Sequence, residues 1–159
     1  MSIELETIAL IEQSFDTYSL DGGISLREAK GIDSYESKSA LKKARMLDEK
    51  NDWRNIPYRD IENIPSIFSF LDAKGVMFYL PAFMIYIIKN HDFDKSNVEE
   101  DVIFSLSSDI GSTWFKGRFK LIEKKHKNAI VSFLKWYRSI DDCCYRKEIE
   151  KALEYWKNA

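Results

Sequence analysis

The sequence contains little cysteine, glycine and proline. Two Cys in 159 residues exclude a scaffold held together by disulfides, and six Gly with three Pro exclude collagen-like and low-complexity chains. The longest apolar run covers residues 76–88 and includes Pro81, whereas a membrane-spanning helix needs about 20 apolar residues. No basic region precedes an apolar run at the N-terminus, as a secretory signal would require. These absences predict a soluble, cytoplasmic protein.

A surplus of positive charge is also missing. The 24 Lys and Arg residues are outnumbered by 26 Asp and Glu, which gives a net charge of −2 and an isoelectric point near 5.8. This balance argues against the general basic character of nucleic-acid-binding domains. Hydrophobic residues make up 45% of the chain and aromatic residues 14%, which is enough for a core and excludes a disordered chain. We therefore predict one folded domain over residues 1–159.

Apolar residues recur at helical spacing through most of the chain, and no run of alternating residues indicates a strand. Ser25 and Glu28 have the spacing of a capping box, as do Asn97 and Glu100, and Asp72 has the position of an N-cap. Helices are predicted over residues 3–19, 26–35, 37–48, 59–64, 73–90, 97–105, 121–140 and 145–156. The helix over residues 73–90 is expected to be either kinked or restarted at Pro81. Loops are predicted over residues 91–97 and 107–116. The pattern predicts a single compact all-α domain of six to eight helices.

Four parts of the chain carry a family resemblance. They are residues 24–29 with 32–35, 52–57, 69–71 with 78–83, and 128–134. Together they resemble an uncharacterised bacterial family known only as a domain of unknown function. Its most specific element is Tyr79-Leu80-Pro81-Ala82, which we interpret as a helix start, because proline in a first turn costs no hydrogen bond. The resemblance implies a small soluble protein without an assigned activity and supplies no catalytic residues.

Residue types that perform chemistry are scarce. The two histidines, His91 and His126, lack the spacing of a zinc site, and no glycine-rich phosphate loop is present. We expect His91 in a solvated loop, and His126 partly buried with one hydrogen bond on the apolar stripe of its helix. Cys143 and Cys144 are adjacent, which disfavours a disulfide between them. We expect no metal, no cofactor and no enzymatic activity. The alternative is a small enzyme that uses His126 or Cys143.

The charges are distributed unevenly along the chain. Residues 1–26 contain five acidic residues and no Lys or Arg, and residues 92–101 contain five acidic residues against one Lys. Residues 116–127 contain six basic residues against one Glu. Such segments are typical of ordinary solvated helix faces. Two functional interpretations compete with that one: an acidic face that docks a basic protein, and a basic site where Trp114, Phe115 and Phe119 stack on nucleic acid.

The acidic docking face is the interpretation that the sequence favours. A small domain with acidic segments and no catalytic motif is typical of an inhibitor, and among bacterial proteins of an immunity protein that neutralises a toxin such as a nuclease. We predict a basic protein partner and no contact with a membrane. The residues predicted to contact the partner are Glu4, Glu12, Asp92, Asp94, Glu99 and Glu100, with Trp53 and Trp114 as exposed anchors. Nucleic-acid binding at residues 116–127 and a lipid-like ligand in a cavity lined by residues 76–88 are the alternatives.

Overall fold

The structure is a computed structural model that describes residues 1–16, 18–64, 66–92, 97–140 and 143–159. Over these ranges the backbone forms nine α-helices and no β-strand, so the predicted all-α class is confirmed. The helices are α1 (Ile3–Ser14), α2 (Leu26–Asp33), α3 (Lys38–Met46), α4 (Tyr58–Asn63), α5 (Ala73–Asn90), α6 (Val98–Ser107), α7 (Thr113–Arg118), α8 (Lys124–Ser139) and α9 (Arg146–Asn158). Two short 3-10 helices cover Trp53–Asn55 and Phe68–Phe70.

Helix α5 is the centre of the hydrophobic core. Residues 75–88 are all buried. A helix with apolar side chains on every side has to be covered on every side, and α1, α6, α7 and the first 3-10 helix pack against α5. Helix α8 packs on both α1 and α9, and α9 also contacts α6. Helix α3 has no buried residue and packs on α2. Residues 76–88 therefore act as the core, although Ala82, Ile85 and Ile88 also border surface grooves.

Pro81 lies inside α5, so the interpretation of Tyr79-Leu80-Pro81-Ala82 as a helix start was wrong. The helix begins after Asp72, the predicted N-cap, whose Oδ1 accepts a hydrogen bond from the Gly75 N–H at 2.9 Å. Proline inside a helix removes one backbone hydrogen bond and costs about 3 kcal/mol. Burial of the apolar side chains around Pro81 offsets that cost. The hydroxyl of Tyr79 accepts the N–H of Leu26 at 2.9 Å, so this segment also secures the start of α2.

Helix ends follow the sequence signals in some places and not in others. Glu28 accepts the N–H of Ser25 at 3.0 Å, as expected for the start of α2. Asn97 precedes α6, but its side chain makes no capping hydrogen bond, because its backbone (φ −90°, ψ 21°) lies outside the extended region of an N-cap. Helix α7 lies where a loop was predicted over residues 107–116, and it brings the α-helices of the described ranges to nine, one above the expected maximum. No helix in the part of the chain that the structure describes is long and apolar enough to cross a membrane.

Gly75 permits a close approach between α5 and the backbone before α2. A Cβ atom at Gly75 would lie 2.9 Å from the carbonyl oxygen of Ile24, and that backbone is held in place because its N–H donates to Asp72 Oδ1 at 3.0 Å. We expect Gly75→Ala to lower the free energy of unfolding by about 1–3 kcal/mol. Gly117 in α7 is the matched control, because a Cβ there meets nothing within 4 Å.

Urea unfolding followed by far-UV circular dichroism measures both variants. Gly117→Ala should leave the free energy of unfolding unchanged or raise it by up to about 1 kcal/mol, since alanine favours helix. Equal stability of Gly75→Ala and Gly117→Ala would contradict the close approach at Ile24.

Candidate functional site

A cleft opens where α1 begins and where α5 and α8 end. We call it the acidic cleft. It has a volume of about 380 Å³. Its apolar lining consists of Ile3, Ile88, Trp136 and Ile140, and its polar lining of Glu4, His91, Asp92 and Ser139. Both carboxylates are exposed to solvent. No Lys or Arg belongs to this set of lining residues, so the charge of the cleft is negative over the residues that the structure describes there.

The helix ends add to this negative charge. Helix α5 has 18 residues and α8 has 16, and both present their C-terminal ends at the cleft. A helix C-terminus carries a partial negative charge and attracts cations. Helix α1 presents its N-terminus, which has the opposite sign, but its first turn carries Glu4 and Glu6. The arrangement therefore favours a positively charged ligand.

A hydrogen-bonded group supports the cleft from behind. His91 Nδ1 lies 2.6 Å from Glu99 Oε1, and the Tyr137 hydroxyl donates to Glu99 Oε2 at 2.8 Å. Burial raises the pKa of Tyr137, with Glu99 as a further cause. The side chain of His91 is only 11% exposed, so the prediction that it lies in a solvated loop was wrong. The three side chains connect the end of α5 to α6 and α8, and this holds His91 and the neighbouring Asp92 in position.

The predicted acidic contact residues separate into groups. Glu4 and Asp92 meet at the acidic cleft, whereas both oxygens of Glu99 are engaged inside the protein. Glu12 is exposed but lines a separate groove of about 90 Å³ that also contains Arg54 and Lys89. Glu100 is exposed on α6, outside the cleft lining. Asp94 lies outside the described residues. The structure thus brings Glu4 and Asp92 together at the cleft, and Glu99 lies behind them, bonded to His91 and Tyr137.

Only one of the two predicted tryptophan anchors is accessible. Trp53 is 2% exposed, and its indole N–H donates to the carbonyl oxygen of Phe15 at 2.9 Å. The prediction that Trp53 is an exposed anchor was therefore wrong, because its ring belongs to the core. Trp114 is 46% exposed, and its ring lies 4.3 Å from the guanidinium carbon of Arg118.

The two residues of the enzyme alternative, His126 and Cys143, differ in their exposure to solvent. His126 is fully buried against the rings of Phe15 and Tyr18, and its Nδ1 accepts the N–H of Glu123 at 2.9 Å. Burial lowers the pKa of His126, so the imidazole is neutral near pH 7. Cys143 is half-buried and Cys144 is exposed, and both lie between α8 and α9 in the chain. Within the described ranges, no three His, Cys, Asp or Glu side chains are grouped as metal ligands would be.

The basic segment over residues 116–127 presents lysines but few aromatic rings. Phe115 and Phe119 are buried, which removes two of the three predicted stacking residues. Arg118 is also buried and donates through Nη2 to the carbonyl oxygen of Phe68. Burial lowers the pKa of Arg118 to about 10. What remains exposed is a set of lysines, Lys116, Lys120, Lys124 and Lys125, with Trp114 as the nearby ring.

Several parts of the acidic cleft carried no recognisable signal in the sequence. Ile3 is 48% exposed beside Glu4, and an apolar residue exposed next to an acidic one is a weak sign of a binding face. Trp136 and Ser139 belong to α8, about 130 residues from Ile3, so only the packing of α8 on α1 brings them together.

The model of a family described as a family of unknown function (DUF6714) matches residues 4–159. No curated protein and no solved structure matches the chain. The expected likeness to a family without an assigned function is confirmed, over nearly the whole chain.

Proposed function

The chain belongs to the DUF6714 family, whose function is unknown, and from the geometry of the acidic cleft we propose that it is a non-catalytic module that binds a basic protein. One observation carries the proposal: Glu4 and Asp92 border the same cleft, where two helices end and where the described lining residues include no Lys or Arg. A carboxylate pair in such a setting attracts cationic side chains.

The surface around the cleft has the composition that a docking face needs. The first turn of α1 carries Glu4 and Glu6, no Lys or Arg occurs in residues 1–6, and the side chains of Ile3 and Leu5 are exposed there. Complementary charge accelerates the encounter with the partner and selects it. Apolar side chains contribute affinity when the partner covers them and excludes water from the centre of the interface. The start of α1 and the cleft next to it together provide both properties.

An immunity protein is the specific role that we propose for this module. Toxins that cut nucleic acid need a basic cleft for the phosphate backbone. An acidic protein can cover that cleft by placing carboxylates where phosphates would bind. In this role the chain would act in the cytoplasm of a bacterium, with the basic domain of a toxin as its partner.

The test compares two double variants with the same loss of charge. The cleft variant is Glu4→Gln with Asp92→Asn, and the control is Glu12→Gln with Glu154→Gln, whose side chains are exposed away from the cleft. The tagged chain is used to capture partners from the cells that produce it, at low and high salt. The captured protein is then purified, and its Kd is measured for all three forms by calorimetry.

We expect one stoichiometric basic protein whose Kd rises at least tenfold, or about 1.4 kcal/mol, in the cleft variant and less than twofold in the control. An equal loss in both variants would show a general charge effect and reject the cleft. Nucleic acid in place of a protein would reject the proposal in favour of the basic segment, and the absence of any partner at either salt concentration would also reject it.

A further inference from the structure

We infer that the acidic cleft receives the guanidinium group of a single arginine side chain of the basic partner. This inference rests on the proposed function, because it names the group of the partner that occupies the cleft. Three properties of the cleft carry it: its size, its combination of apolar walls with carboxylates, and the fixed backbone around it.

The size of the cleft suits a side chain better than a larger ligand. Its volume of about 380 Å³ is near the lower end of the range of about 300–1,000 Å³ found for small-molecule sites. It is open to solvent beside exposed Glu4 and Asp92. One extended side chain can therefore enter from a partner surface while the backbone that carries it stays outside.

The lining favours arginine over lysine. Ile3, Ile88 and Ile140 offer apolar surface to the three methylene groups of arginine, and long cationic side chains cover such surface while the charged end reaches polar groups. A guanidinium group is weakly hydrated and binds carboxylates with a planar set of N–H donors. Trp136 belongs to the same lining but is only 2% exposed, so it reports on binding and does not offer a ring face for stacking. A lysine ammonium is more strongly hydrated and lacks the planar geometry.

The backbone that carries the two carboxylates is held before any ligand binds. His91 precedes Asp92 and is fixed by Glu99, which in turn is held by the hydroxyl of Tyr137. Glu4 lies in the first turn of α1, and α1 packs on α8. A site whose backbone is already in position loses less conformational freedom on binding.

Small arginine analogues test the inference on the full chain without any partner. The ¹⁵N-labelled protein is titrated with N-acetyl-arginine amide, N-acetyl-lysine amide and the neutral N-acetyl-norleucine amide, and the tryptophan indole signals are followed by NMR. A Trp136→Phe variant assigns the signal of Trp136. We expect arginine amide to shift the Trp136 signal and not that of Trp114, with a Kd of the order of 1–10 mM. Its affinity should fall at least fivefold in Glu4→Gln and in Asp92→Asn, and stay unchanged in Glu12→Gln.

The other outcomes separate this inference from the proposed function. Equal binding of norleucine amide would show a merely apolar site, and equal binding of lysine amide would show a site for any cation; either result overturns the arginine assignment. A captured basic protein without any response to arginine amide overturns this inference and leaves the proposed function in place. Binding of arginine amide without any protein partner supports the guanidinium site and overturns the proposed function.

Discussion

Trp53→Ala is expected to lower the free energy of unfolding by about 3–5 kcal/mol. Trp53 is 2% exposed and lies in the 3-10 helix that packs against α5. Its removal leaves a large cavity in the core and takes away the N–H that donates to the carbonyl oxygen of Phe15 at 2.9 Å. A domain is typically stable by about 5–15 kcal/mol, so this one substitution removes about a fifth or more of the stability.

Two further variants separate the contributions of Trp53. Trp53→Phe keeps an aromatic ring but loses the N–H donor, and we expect it to cost about 1–3 kcal/mol. Trp114→Ala is the control, since Trp114 is 46% exposed and should cost about 1 kcal/mol or less. Urea unfolding followed by far-UV circular dichroism is suited to the comparison because it does not depend on tryptophan fluorescence. A smaller loss for Trp53→Ala than for Trp114→Ala would refute the buried position of Trp53.

Asp101→Asn is expected to raise the free energy of unfolding by up to about 3 kcal/mol at pH 8. Burial raises the pKa of Asp101 from 3.8 to about 6, although the N–H groups of Phe68 and Ile67 and the charge of Arg118 act in the opposite direction. This difference in the pKa of Asp101 between the folded and unfolded states means that the folded protein disfavours the ionised carboxylate by about 3 kcal/mol. Asparagine keeps an oxygen for the N–H donors of Ile67 at 3.1 Å and Phe68 at 3.4 Å and carries no charge.

The gain from Asp101→Asn should depend on pH in a defined direction. Above pH 6 the carboxyl group is ionised in both states, so the folded wild type carries the whole penalty. Between pH 6 and pH 4 the folded state binds a proton while the unfolded state remains ionised, and the penalty disappears as the pH falls. The advantage of Asp101→Asn should therefore be largest at pH 8 and close to zero at pH 4. Burial lowers the pKa of His126, so protonation of this group makes the folded protein less stable as the pH falls. His126 is present in both the wild type and Asp101→Asn, so its contribution cancels in the difference between their free energies of unfolding.

Urea unfolding of both proteins at several values between pH 4 and pH 8 measures this difference. Glu154→Gln, an exposed substitution on α9, should show a difference of less than about 0.5 kcal/mol at every pH. A loss of stability in Asp101→Asn at pH 8, or a gain that does not change with pH, would contradict the argument from burial.

Local signals in the sequence were sufficient for the fold class and for several helix starts. Asp72 caps α5, and Glu28 accepts the N–H of Ser25 at the start of α2, as their spacing predicts. The Oγ of Ser37 likewise accepts the N–H of Ala40 at 3.1 Å at the start of α3. These interactions join residues within three positions of each other. Their geometry follows from the helix itself, so a reader of the sequence can recognise them without knowing the fold.

The tertiary structure overruled local signals wherever distant groups compete with them. Pro81 marks a helix boundary by its own chemistry, but burial of α5 on all sides outweighs the lost hydrogen bond. Trp53 has a loop-like sequence context, but its indole N–H finds a partner 38 residues away in Phe15. Glu99 has the appearance of a surface acid, but it bonds to Tyr137, also 38 positions away.

The acidic cleft likewise depends partly on the local sequence and partly on tertiary packing. The spacing of the apolar residues determined that the protein is helical, and the position of its acidic residues determined that residues 1–26 and 92–101 carry negative charge. The packing of α1, α5 and α8 alone decided that Glu4 and Asp92 border one cleft while Glu12 lines another. Helix formation depends on neighbours within one or two turns, whereas a binding site depends on contacts between residues far apart in the chain, and those contacts follow from the packing of the whole core.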